Sequence, residues 1–361
     1  MKAVDVIVVG QGIAGTLLSF ELMEAGLSVM VVDAPGSKGA SQVASGVINP
    51  VTGRRVVETW KINELLPIAT DCYQRISERL RIKPVATALD ILAIHASQQM
   101  QSAFNKRLQE GSGYIKQVTN QKDVESFFKT PEGLHRIQPA LLIDLTTLLS
   151  AYRQYLNNKG MFLSATFDWK ALQLPAGDRQ QFLYQNNDID ISAGWVIAAE
   201  GVLGSQNPYF HQLPFRYNKG EALIIDIPGL SRSHIYKLGF SIVPWEGAQK
   251  DKNLFWVGST YQWEFADDLP TEHFKQTVIN FLDTELLTPY RIIHHMAAVR
   301  PASINRRPFA GPHALYPRLG IINGLGTKGC SLAPYLAGAW KDYIISNKPF
   351  DAALKPEPDR Q

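Results

Sequence analysis

Three glycines at Gly10, Gly12 and Gly15, with the acidic Asp33 about 20 residues further on, form the arrangement in this chain best suited to chemistry. Gly10 permits a tight turn out of a strand, and Gly12 lets the main chain approach a pyrophosphate. Gly15 lets the following helix pack closely on that strand. A helix that starts here offers free amides, those of Ile13 and Ala14 among them, and the positive end of its dipole to phosphate oxygens. Asp33, followed by Ala34, is positioned to accept hydrogen bonds from ribose hydroxyls. Gly-rich turns without a ligand are common. Here a strand precedes, a helix follows and the acid lies beyond, which favours a dinucleotide. FAD and NAD fit these residues equally well.

The elements that must hold this turn are readable. Residues 4–9 (VDVIVV) are a β-branched run of strand length, residues 16–25 place Leu18, Leu22 and Ala25 on one helical face, and Gly26 stops the helix before a second strand at 28–32. Further on, the pattern predicts a helix at 62–80 with Pro67 near its start, a strand at 89–95 and a helix at 141–156. Strands are expected at 162–174 and 182–191, flanking a loop with Pro175 and Gly177, and at 195–199 before Glu200-Gly201. Short strands follow at 221–227, 240–245 and 254–261, then a helix at 270–287 capped by Thr271, a strand at 320–323 and a helix at 330–345. The tail at 355–361 is expected to fray. An α/β pattern at both ends around a β-rich middle implies an α/β plus antiparallel β protein. We expect a discontinuous Rossmann-type nucleotide-binding domain (1–80, 150–215 and 296–361) with an inserted α+β substrate domain (81–149 and 216–295).

Composition narrows the classes. At 361 residues with 45% hydrophobic and 19% charged, the chain is globular and has enough apolar residues for a large core. It has no apolar run near the roughly 20 residues of a membrane span. The start shows neither a cleavage site nor an Arg/Ser-rich leader, so a cytoplasmic location is expected. Cys72 and Cys330 are the only cysteines, too few for a disulfide framework, and no His, Cys, Asp and Glu spacing suggests a metal. A net charge of +3 does not make nucleic acid a leading partner, though it leaves one open. Oligomeric state is not encoded legibly.

Beyond Asp33, further segments follow in a fixed order: GASQVASGVINP at 39–50, WVIAAEGVLGS at 195–205, LFWVGSTY at 254–261 with DDLPT at 267–271, RPA at 300–302 with PFAGP at 308–312, and NGLGTKG at 323–329 with SLAP at 331–334. In this order they resemble the FAD-dependent amino-acid and amine oxidoreductases, the family of D-amino-acid oxidase, glycine oxidase and sarcosine oxidase. The C-terminal loop is also similar to the oxidase half of the bifunctional enzyme that modifies wobble uridines in tRNA. The resemblance implies FAD, held by Ser41, Ala44, Ser45, Gly46 and Val47 in the first loop, by Ala199 and Gly201, and by Gly324, Gly326, Thr327, Lys328 and Gly329. Some relatives attach flavin through Cys or His at places that here hold Ser303-Ile304-Asn305 and Gln42-Val43-Ala44, so the FAD is expected to be non-covalent.

The same resemblance makes Arg300 the residue that holds a substrate carboxylate beside the flavin, a task suited to its planar fork; the alternative is a structural ion pair. Lys328 either adds charge at the flavin or is a solvated lysine. The GLGTKG amides, at a helix start, would stabilise negative charge on a reduced flavin. Tyr261 and Trp263 either wall the substrate or simply pack. The candidate catalytic residues are thus Arg300, Lys328 and Tyr261. Thr327 stands where glycine oxidase has a second arginine, which counts against glycine; Arg306 and Arg307 either compensate for it or are solvated loop arginines, as adjacent arginines usually are. Of His294 and His295, one ring is expected in the core and one outside, with neither a base. The expected reaction is oxidation of the C–N bond of a small amino acid or carboxylate-bearing secondary amine by hydride transfer to flavin N5, with imine hydrolysis. A tRNA carboxymethylaminomethyl-uridine oxidase or a non-catalytic flavoprotein are the competing readings.

Overall fold

The computed structural model describes residues 1–36, 39–53, 55–118, 122–129, 132–177, 179–186, 189–246, 253–354 and 356. Its first sheet grows outward from the Lys2–Val9 strand, whose Val6, Ile7 and Val8 are fully buried. Phe162–Ser164, Val29–Asp33, Lys2–Val9, Ile189–Ala198 and Leu319–Asn323 lie side by side, and every one of these pairings is parallel. Phe182–Asn186 with Leu172–Gln173, and Phe309–Pro312, add antiparallel strands at the edge. Parallel strands buried on both faces explain the near-continuous apolar runs read from the sequence. This is the α/β layer expected.

The second sheet runs Arg291–Ser303, Phe215–Asp226, Leu254–Gly258, Phe240–Pro244, His234–Leu238, Ala86–His95, Gly133–Ile143 and Val47–Ile48, with Ile115–Gln117 also on Gly133–Ile143. It is antiparallel except where His234–Leu238 meets Ala86–His95. One face packs under the helix Glu272–Glu285 through Leu223, Tyr236, Phe255 and Phe274. The other shares a core with the first sheet and the helices Ile13–Glu24, Ile62–Leu80, Leu145–Asn158 and Gly329–Ser346, where Leu17, Ile76, Leu148, Ile224, Trp256 and Leu336 belong to one cluster. The inner face of the second sheet therefore looks at the element that carries the glycine turn.

Several expectations need correcting. The helix predicted from Leu141 starts at Leu145: residues up to Ile143 pair in the second sheet, and Asp144 caps the helix by accepting from the Thr147 amide at 3.0 Å. The predicted strand 162–174 is cut short, because Phe162–Ser164 joins Val29–Asp33 and Asp168 then caps the short turn Trp169–Ala171. Phe182–Asn186 and Ile189–Ala198 are two antiparallel strands, and the second includes 195–198 of the predicted 195–199 segment. Leu254–Gly258 ends before Ser259, freeing 259–261 for the site. Val47–Ile48, inside the 1–80 segment expected for nucleotide binding, pairs with the second sheet. Thr271 caps the Glu272–Glu285 helix as expected. The tail at 355–361 lies outside the described residues except 356. Among the described residues no helix is long and apolar enough to cross a membrane, and no group of three or more His, Cys, Asp and Glu could hold a metal.

Candidate active site

The glycine turn has the geometry its residue types demand. Gly10 has φ +104°, and a Cβ there would stand 2.4 Å from the Ala199 carbonyl oxygen; one on Gly15 would stand 1.9 Å from the Gly10 carbonyl. Any side chain at either place would push the strand, the Ala199 turn and the helix apart. Gly12 begins the Ile13–Glu24 helix with no side-chain cap of its own and no acid in the first turn, so its amide end suits an anion. The Ile13 amide donates to Ser41 Oγ at 3.0 Å, which brings the first loop against the turn, with Ala14 next along the helix. A pyrophosphate fits a cradle of this shape and charge.

Asp33 ends its strand as predicted, with Ala34 after it, yet its carboxylate has protein partners the sequence did not reveal. It accepts from the Gln11 amide at 3.0 Å and from Arg153 Nη2, while Arg153 Nε reaches Gln11 Oε1. Arg153 lies on the Leu145–Asn158 helix, far away in sequence, and no local pattern marks it.

The remaining loops converge on the same place. Ala44 ends the short helix Ala40–Val43, Ser45 leads into Gly46, whose carbonyl accepts from the Ile143 amide at 3.0 Å, and Val47 pairs with Leu142. Asn323 clips two turns together, donating to the Gly201 carbonyl at 2.9 Å and accepting from the Gly324 amide at 2.8 Å. The Gly326 amide donates to the Pro301 carbonyl at 2.8 Å, which ties the C-terminal loop to the residue after Arg300. A Cβ on Gly329 would stand 3.3 Å from Ile13 Cγ2, so the two loops touch. Thr327 is exposed at the tip.

Arg300 lies on the inner face of the second sheet, its guanidinium flat over Gly220, where a Cβ would fall 1.8 Å from Nη2. Nη1 donates to Asn218 Oδ1 at 2.9 Å and to the Thr260 carbonyl at 3.1 Å, and Nη2 donates to Ser259 Oγ at 2.8 Å. Every one of these partners is neutral. No carboxylate lies within ion-pair distance among the described residues, so the structural ion pair left open by the sequence is absent there. Burial pulls its pKa down, opposed by Tyr261, whose ring lies 5.4 Å from the guanidinium. Tyr261 is 60% exposed. Trp263 covers Arg216 at 4.4 Å instead of Arg300, so the two aromatics do not form one wall.

Lys328 is a half-buried residue at the start of the Gly329–Ser346 helix, and its ammonium donates to Thr59 Oγ1 at 3.2 Å. Burial, helped by the charge of Lys237, lowers its pKa to about 8. Its partial burial and its bond to Thr59 set it apart from a fully solvated lysine. His295 Nε2 lies 3.0 Å from a carboxylate oxygen of the buried Glu221 on the opposite face of the sheet, while His294 is exposed, the division expected for neighbours on a strand. Cys330 is buried, its thiol pushed up to about 12 by burial. Arg306 is exposed, and Arg307 stacks 4.5 Å from Trp60. Asn218, Ser259, Thr260, Thr59 and Lys237 escaped sequence reasoning because only tertiary contact recruits them.

A family model described as "FAD dependent oxidoreductase" (DAO) matches residues 5–340. Among solved structures, glycine oxidase from Geobacillus kaustophilus is 18% identical with a TM-score of 0.80, covering 100% of both chains. Iminodiacetate oxidase from Chelativorans sp. BNC1 is 17% identical with a TM-score of 0.76, over 98% of this chain and 100% of that one. L-amino acid deaminase from Proteus vulgaris is 14% identical with a TM-score of 0.78, over 99% and 97%. At these identities the likeness is one of fold.

Proposed function

This chain belongs to the DAO family of FAD-dependent oxidoreductases, and from that premise we propose that it oxidises the C–N bond of a small amine bearing a carboxylate. Bound FAD supplies the two-electron acceptor for that oxidation. The Gly10–Gly15 turn and helix start would hold its pyrophosphate, Asp33 its ribose, and the 324–329 loop its ring.

The observation that carries the reading is Arg300. A half-buried guanidinium with only neutral partners is a charge awaiting a counter-ion, and burial makes such a charge costly until it is paired. A substrate carboxylate meets its fork in two parallel hydrogen bonds. Gly220 leaves the guanidinium flat and fixed, and Asn218, Ser259 and Thr260 aim it. Tyr261 would close over the bound molecule and exclude water, fixing the carbon next to the carboxylate in one place, which is where most of the rate enhancement would arise. The imine product then hydrolyses to an oxo acid and an amine. Glycine oxidase and iminodiacetate oxidase, by their names, act on amines of this kind, which supports the reading.

The test compares an amine with its decarboxylated partner, such as sarcosine against dimethylamine. The carboxylate-bearing amine should reduce the flavin, and Arg300→Met should lower kcat/KM by about 100-fold or more while FAD is retained. Equal reduction by both amines would remove Arg300 from its role.

A further inference from the structure

Lys237 sits in the strand His234–Leu238, where Ile235 packs into the core between the sheets while Tyr236 and Leu238 pack under the Glu272–Glu285 helix. By alternation Lys237 shares the inner face with Ile235. That is the face of Arg300, whose guanidinium covers Gly220 two residues before the inward Ala222. In register, Lys237 stands opposite Ser241, and Ser241 opposite Gly258. Two strand spacings put Lys237 about 10 Å from Gly258. The next residue, Ser259, accepts from Arg300 at 2.8 Å. The Arg300 guanidinium and the strand of Lys237 therefore share one face, a little over two strand spacings apart.

Lys328 stands at the end of the C-terminal loop, whose Gly326 amide donates to the carbonyl of Pro301, the residue after Arg300, at 2.8 Å. Its ammonium rests on the Thr59 hydroxyl and feels the charge of Lys237. Among the described residues, neither lysine has a carboxylate within ion-pair distance. Burial lowers the pKa of both. Two like charges near each other, beside the positive end of a helix dipole, are relieved by an anion between them.

We propose that Lys237 and Lys328 form a second anion subsite, so that the substrate is a small amine carrying two carboxylates, one on Arg300 and one on the lysines. This rests on the reading of Arg300 given above. A dicarboxylate would span the two ends and leave its C–N bond between them, whereas a monocarboxylate would leave the lysine end filled with water.

The test titrates the FAD-loaded protein by calorimetry with two sulfur analogues that have no oxidisable amine: thiodiglycolate, with two carboxylates, and (methylthio)acetate, with one. The dicarboxylate should bind about tenfold tighter or better. Lys237→Met should erase that preference without loss of FAD, Lys237→Arg should restore it, and Arg300→Met should weaken both ligands. Equal affinity in the wild type, or a preference that survives Lys237→Met, overturns the subsite. So does a Lys237→Met change confined to the flavin spectrum, which would assign the lysines to the cofactor. If (methylthio)acetate binds equally well after Arg300→Met, it is the Arg300 reading that fails.

Discussion

Arg300 and Lys328 are both half-buried cations without acidic partners among the described residues, but their surroundings set different behaviour. An arginine stays charged in any protein environment, so its attraction for a carboxylate persists across the working pH range. Lysine titrates. With its pKa lowered to about 8, Lys328 is cationic below that pH and neutral above it. Binding of a dicarboxylate should therefore weaken as pH rises through about 8, and Lys328→Gln should remove that step while leaving the Arg300-dependent affinity. A pH-independent wild type would show that Lys328 does not face the ligand. At this scale the sequence was most legible where backbone shape dictates the residue. Gly10, Gly12 and Gly15 are readable because no other residue fits their places, whereas Arg300 came from resemblance alone. Its cradle was invisible, since Asn218, Gly220, Ser259 and Thr260 are ordinary residues until the Phe215–Asp226 strand and the 259–261 loop meet around it.

Elements position these groups, and their junctions are where substitutions should tell. A side chain at Gly15 would overlap the Gly10 carbonyl, so Gly15→Val should lift the helix from the first strand. Loss of about 1–3 kcal/mol of stability and failure to retain FAD are expected, measured by denaturation and by flavin per chain. In the second sheet, His95 and His135 lie on the paired strands Ala86–His95 and Gly133–Ile143, are 1% and 4% exposed, and stack at 5.0 Å with no partner for any ring nitrogen among the described residues. Burial lowers both pKa values, that of His95 from 6.5 to about 4. The unfolded chain therefore takes up more protons than the folded one in this range. The stability these neutral rings permit is complete above about pH 6.5 and is lost as pH falls toward 4. Replacing His95 with Leu should flatten the acid side of the stability curve, and an unchanged slope would contradict the assignment. Segment ends were the hardest part to read: Asp144 is a strong cap, but the apolar run 141–143 before it fits helix and strand equally until Gly133–Ile143 finds its neighbours.

At the scale of the whole molecule, two sheets share one core, and the proposed site lies along their junction. The first loop, the Ala199 turn, the C-terminal loop and the inner face of the second sheet all border it. A dinucleotide bound across such a junction stabilises the folded state by mass action. Apo-protein should thus unfold at a lower temperature than the FAD-loaded form, by an amount that grows with FAD concentration, and a midpoint indifferent to FAD would show that the folded chain does not bind it. The α/β beginning and end, and the antiparallel middle, were legible from apolar periodicity. The crossing of Val47–Ile48 to the second sheet was not, because it rests on two residues, too short a strand to announce itself.

The most direct test of the central claim is the visible spectrum of the FAD-loaded protein, followed without oxygen as glycine, sarcosine, iminodiacetate and several D- and L-amino acids are added. The account predicts that the flavin band bleaches with a carboxylate-bearing amine, that Arg300→Met slows the bleaching by about 100-fold or more, and that air restores the colour or a supplied acceptor does so. A protein that holds FAD yet is reduced as readily by amines lacking a carboxylate, or only by such amines, would contradict it.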